Sequence, residues 1–183
     1  MSDAKKAIDT ILDFLSDDTK KLLLVKGYDD IAKLKVVLSC LNKKFDRGII
    51  RTSSMPDISE FVNRAFNKKL LPNAIKSTTV YKLGKMTVNI NSYVNATKSN
   101  PRGNESTFTV FFPVQTVLND SKRYAALLTE LESTNSRKVI LITTNDPSID
   151  KWDIENNVDE VYFYSVEEDN PQIMINLRSN GAI

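Results

Sequence analysis

The chain has 183 residues, 41% of them hydrophobic and 26% charged, and a formal net charge of +2; this suits one domain with a sizeable core and is too short for two comfortable ones. Histidine is absent and Cys40 is the single cysteine, which excludes His-based acid–base catalysis, Ser-His and Cys-His nucleophile pairs and an internal disulfide, and argues against structural zinc. No apolar run approaches the roughly 18 residues of a membrane span, and the opening MSDAKKAIDTILDFL mixes acids with apolar residues and lacks a small-residue cleavage site, so a cytoplasmic protein without a signal peptide is expected.

In chain order, Ala7, Ile8, Ile11, Leu12 and Leu15 share one face of a predicted helix over 5–15. Residues 21–26 form a short apolar strand. Asp29 or Asp30 can cap a second helix with the buried stripe Ile31, Leu34, Val37, Leu38 and Leu41; Cys40 lies within it as a small core residue. Ile49 to Thr52 is a second strand, and Pro56 opens a third helix carrying Ile58, Phe61, Val62, Ala65 and Phe66. Residues 78–94 are rich in β-formers, with Gly84 marking a turn or bulge. Residues 95–107 read as a flexible loop, rich in Asn, Ser, Pro and Gly. A strand over 108–112, a helix from Asp120 to Ser133, and strands over 139–143, 158–166 and 172–177 complete the order. Strands separated by helices predict a parallel sheet covered on both faces, a three-layer α/β/α sandwich, in one domain over 1–183.

The junction between the first strand and the second helix carries a damaged motif. The phosphate-loop pattern is G-x-x-x-x-G-K-[ST]. Gly27 and Lys33 stand in register with it, but the second glycine is Ala32 and the Mg-binding hydroxyl is Leu34. Asp29 and Asp30 bring negative charge to the place where phosphates would be cradled. Lys33 is read as a solvated helix lysine beside Lys35; the alternative is a retained phosphate lysine.

Further along, Thr143, Thr144 and Asn145 end a strand where open α/β sheets place ligands, and are read as a polar exit to a turn at Asp146-Pro147. Asp150, Asp153 and Glu155 have no metal-ligand spacing and are read as a solvated loop around Trp152. No site metal and no cofactor are expected.

The order of elements from about Lys20 to Ile183 resembles the RecA-like P-loop NTPases, more narrowly the KaiC/RadA-like branch. The broken loop carries the resemblance, with Gly48-Ile-Ile-Arg-Thr-Ser53, Arg137-Lys-Val-Ile-Leu-Ile-Thr-Thr-Asn145, and Val158-Asp-Glu-Val-Tyr-Phe-Tyr164 followed by Ile173-Met-Ile-Asn-Leu-Arg178-Ser-Asn-Gly181. That last pair is similar to the family's two closing strands. The resemblance places the acidic Walker B position near Pro113, which carries neither charge nor donor. With both supports of the metal missing, phosphoryl transfer is not expected, and no residue is assigned a catalytic role.

The resemblance implies a degenerate RecA/KaiC-like domain, a pseudo-ATPase that binds a protein partner or assembles. Charge polarity adds to this: residues 1–105 carry 19 Lys/Arg and 11 Asp/Glu, residues 106–183 carry 6 and 12. Such asymmetry steers a polyanion or lets one copy dock head-to-tail on another. The alternative is an accessory protein of DNA recombination or repair. It would contact single-stranded nucleic acid through Lys76, Tyr81, Lys82, Lys85, Tyr93, Lys98 and Arg102, which mix cations with aromatic rings. A third reading keeps ATP binding through unconventional contacts.

Overall fold

Helix α1 (Asp3–Ser16) begins where the Ser2 hydroxyl accepts the Lys5 N–H, and buries Ala7, Ile11, Phe14 and Leu15 along one stripe. Its last carbonyls are closed by a distant residue: the buried Lys138 ammonium donates to the Phe14 carbonyl at 2.9 Å and to the Asp17 carbonyl at 2.5 Å. A cation at a helix C-terminus satisfies both the dipole and the unpaired oxygens. The remaining elements are β1 (Leu22–Gly27), α2 (Asp30–Lys44), β2 (Arg47–Thr52), α3 (Ile58–Phe66), β3 (Val80–Leu83), β4 (Met86–Ser92), β5 (Thr107–Phe111), the short α4 (Gln115–Leu118), α5 (Ser121–Glu132), β6 (Lys138–Ile142), a 3-10 turn at Ile154–Asn157, β7 (Glu160–Tyr164) and α6 (Pro171–Ser179). The structure, a computed structural model, describes residues 1–144 and 152–183.

Among the described residues the strands make one seven-stranded sheet in the order β3-β4-β2-β5-β6-β1-β7. Every pairing is parallel except the β3–β4 hairpin, which turns through Gly84 at φ 64°. The fold is therefore α/β with helices on both sides of a mainly parallel sheet. One face packs α1, α2, α3 and α6 against Leu23, Val25, Ile50, Val88, Ile90, Val110 and Ile140. The opposite face packs α4, α5 and the 3-10 turn against Leu24, Phe111, Val139 and Leu141.

The second face is not apolar throughout. Over β2 and β4 it turns polar: register sets Arg47 beside Thr87 and Arg51 beside Asn91, and Arg47 also bonds the Asn89 side chain. No helix of the described residues lies there. Residues 95–106 cross instead, with Asn91 donating to Asn100 Oδ1 at 3.3 Å, and the Arg102 carbonyl accepting the Asn135 N–H at 2.7 Å.

One predicted element is overturned. The segment expected as a closing strand over 172–177 is helix α6. Pro171 sits at its first turn, where a missing N–H costs nothing. Ile173, Met174 and Leu177 turn to the core at helical spacing, while Ile175, which a strand would have buried with Ile173 and Leu177, is 54% exposed. The helix closes with Gly181 at φ 67°, its N–H on the Arg178 carbonyl and the Ala182 N–H on the Leu177 carbonyl, a Schellman arrangement. The two closing strands of the family resemblance are thus one strand and one helix.

Candidate functional site at the carboxyl edge of the sheet

Gly27 ends β1 with φ 137°. A Cβ there would lie 2.4 Å from the Tyr164 carbonyl oxygen on the neighbouring strand, so the position requires glycine for both conformation and space. Only Tyr28 and Asp29 separate the strand from α2. A working phosphate loop is a full strand–loop–helix insertion in which the glycines and lysine precede or open the helix. Here the helix begins three residues before Lys33. Asp29 is its N-cap, with Oδ1 accepting the Ala32 N–H at 2.9 Å and its carbonyl accepting the Lys33 N–H at 3.0 Å. Helix N-termini attract anions through such amide groups; this one is filled by the chain's own carboxylate.

Lys33 corrects the expectation of a solvated lysine: it is 0% exposed. Its ammonium points into the sheet edge, donating to the Gly27 carbonyl and the Thr143 carbonyl at 2.5 Å each, and it lies 3.1 Å from Asp30 Oδ1. Buried charge is tolerated only when paired and hydrogen-bonded, and these contacts supply both. Lys33 thereby ties the end of β1 to the end of β6. The sequence held a signal for this. Val36, Val37 and Cys40, three, four and seven residues on, are all buried, so Lys33 begins the apolar stripe. Leu34 is fully buried and Ala32 is half-buried against the same core. Burial also pushes the Cys40 thiol up to about 11.

Pro113 follows β5 through a cis peptide bond from Phe112, and its carbonyl accepts the Tyr93 hydroxyl. Thr144 Oγ1 reaches Gln115 at 3.2 Å. Asn145, Asp146, Pro147 and Asp150 lie outside the described residues. Asp153 accepts the Tyr124 hydroxyl at 2.5 Å, Trp152 stacks at 4.9 Å from the Tyr124 ring, and Glu155 pairs with Lys26 at 2.9 Å. Among the described residues no group of three or more His, Cys, Asp or Glu is placed to hold a metal.

A second polar centre escaped the sequence reading. Arg51, 2% exposed, and Arg102 both donate to Glu130 on α5, and Arg51 lies 5.5 Å from the Phe111 ring centre. Burial raises the Glu130 carboxyl, but the two guanidiniums outweigh it and hold the group below the usual range. Arg51 in the otherwise apolar run Gly48-Ile-Ile was the available signal, since a buried arginine needs a partner.

The seven residues proposed for nucleic acid separate. Lys76, Lys82, Lys85 and Lys98 are exposed. Lys85 pairs with Asp46 at 3.6 Å, and the Tyr81 hydroxyl accepts the Lys76 N–H at 2.8 Å. Tyr93 is buried against Phe111, and Arg102 is committed to Glu130 and to Ser133 at 3.0 Å. No helix of the described residues is long and apolar enough to cross a membrane. Compared with known proteins, the chain matches no family model, no curated sequence and no solved structure.

Proposed function

We propose that this chain is a non-catalytic module, a pseudo-ATPase on a degenerate RecA/KaiC-like frame, which works by binding a protein partner or assembling. The observation that carries the reading is the inward lock of Lys33 on the Gly27 and Thr143 carbonyls. It occupies the residue that would otherwise meet a phosphate. Asp29 at the helix cap and Leu34 in the core support it, because they leave neither an anion cradle nor an oxygen ligand for Mg²⁺. The strand–turn–helix at β1–α2 and the parallel order of the sheet support the NTPase-like frame. Isothermal titration with Mg-ATP tests it. The expected result is no saturable heat; saturable binding that disappears in Lys33→Ala overturns the reading.

The nucleic-acid alternative draws on the exposed lysines of the β3 end. With Tyr93 buried, Tyr81 half-buried on the core and Arg102 in an ion pair, it rests on phosphate contact with little of the stacking that single strands use.

A further inference from the structure

Charge is segregated along the sheet as well as along the chain. Residues 43–102, which build β2, α3 and the β3–β4 hairpin, carry 12 Lys/Arg against 3 Asp/Glu. Residues 152–183, which build β7 and α6, carry 7 Asp/Glu against 1 Arg; Lys6, Lys20 and Lys26 of the adjoining α1 and β1 segments pair with Glu168, Glu160 and Glu155 and reduce that excess without reversing it. The strand order sets β3 and β7 at opposite ends, so the molecule has a basic end and an acidic end.

Each end also exposes apolar surface, of opposite shape. At the basic end a cavity of about 390 Å³ opens between α2, α3 and the hairpin, lined by Leu38, Phe66, Leu70, Leu83 and Met86. Lys43 and Lys68 are its charged lining residues, and no carboxylate lines it. The volume is in the range of binding pockets, which are mostly apolar with a few polar groups at fixed places. At the acidic end the outer strand β7 presents Val161, 40% exposed, and Phe163, 45% exposed. The Tyr28 ring meets Phe163 edge-on at 5.4 Å, which restrains it. Held aromatic side chains are favoured anchors at interfaces because little freedom is lost on binding.

The geometry points to a second copy of this chain as the occupant of the cavity: the Val161–Phe163 ridge of one copy seats in the Lys43/Lys68 cavity of the next. The two surfaces differ and lie at opposite ends, so the contact is heterologous and repeats head-to-tail, as a ring or an open chain, rather than ending at a two-fold dimer. The inference rests on the proposal that the module assembles, and names what it assembles with. Opposed charges bring the ends together in register, and added salt weakens them.

Sedimentation velocity over a concentration series tests this, at low and at high salt. The wild type is expected to grow past a dimer with concentration at low salt and to lose that growth at high salt. Lys43→Glu/Lys68→Glu blocks one end and Phe163→Asp blocks the other. All three side chains are exposed or half-exposed, and matching circular dichroism checks that the variants fold. Each variant alone is expected to remain monomeric. Mixed one to one, they are expected to give a species of twice the mass and nothing larger, since each retains the end the other lacks. A wild type that stays monomeric, variants that grow like the wild type, or a mixture that stays monomeric overturns the inference. So does a monomer whose basic end instead binds a fluorescent single-stranded oligonucleotide, with binding lost in Lys43→Glu/Lys68→Glu. None of these outcomes bears on the Mg-ATP titration, so failure here is distinct from failure of the non-catalytic reading.

Discussion

Lys33 shows how one buried side chain can tie two strand ends together. Replacing it with methionine keeps a long apolar stem and removes the ammonium, so the Gly27 and Thr143 carbonyls lose that donor and Asp30 its ion-pair partner. The expected cost is about 2–4 kcal/mol in urea unfolding, the scale of breaking a buried, hydrogen-bonded charge pair. Glu130 carries a pH dependence. Its carboxyl is depressed in the folded state by Arg102 and Arg51, so it contributes stability above the ordinary glutamate range. That contribution is lost as pH falls through its lower folded value. Thermal midpoints between neutral pH and pH 3 are expected to fall less steeply in Glu130→Gln than in the wild type, from a lower start at neutral pH. The motif residues were legible as letters, but their orientations were not. A lysine six after a glycine has the same spelling whether its ammonium faces solvent or the sheet. The difference is made by a turn of two residues, which pattern spacing does not report. Arg51 and Glu130 lie 79 residues apart, so no local pattern links them.

At the scale of elements, alternating apolar stripes placed α1, α2, α3 and α5 and the strands between them, because burial on one face leaves a period in the sequence. The final segment misled because Ile173, Ile175 and Leu177 also fit a period of two. Pro171 and Gly181 were the deciding punctuation. Gly181→Ala is expected to cost about 1 kcal/mol, since φ 67° strains any residue with a Cβ. Hydrogen exchange at the amides of 181 and 182 should quicken while the core strands stay unchanged. The polar crossing of β2 and β4 by residues 95–106 shows a different limit: the loop was read from composition, and its seat is made by Asn91 on the strand just before it and by Glu130, 28 residues beyond Arg102.

For the whole molecule, strands separated by helices made a parallel, two-sided sheet readable from sequence, whereas the lateral order of the strands was not, because crossovers leave no local trace. That order turns a modest charge asymmetry along the chain into two opposed ends. It also sets β1 between β6 and β7, where its closing glycine touches Tyr164 and its carbonyl holds Lys33. The two-residue passage from β1 to α2 therefore also limits what point changes can build there. Point changes that would complete the spelling of a nucleotide loop, Ala32→Gly and Leu34→Thr, alter residues already wound into the helix and add no length to the turn. Building a nucleotide site at this junction would therefore take an insertion, and with it a new resting place for a lysine that holds the ends of two strands.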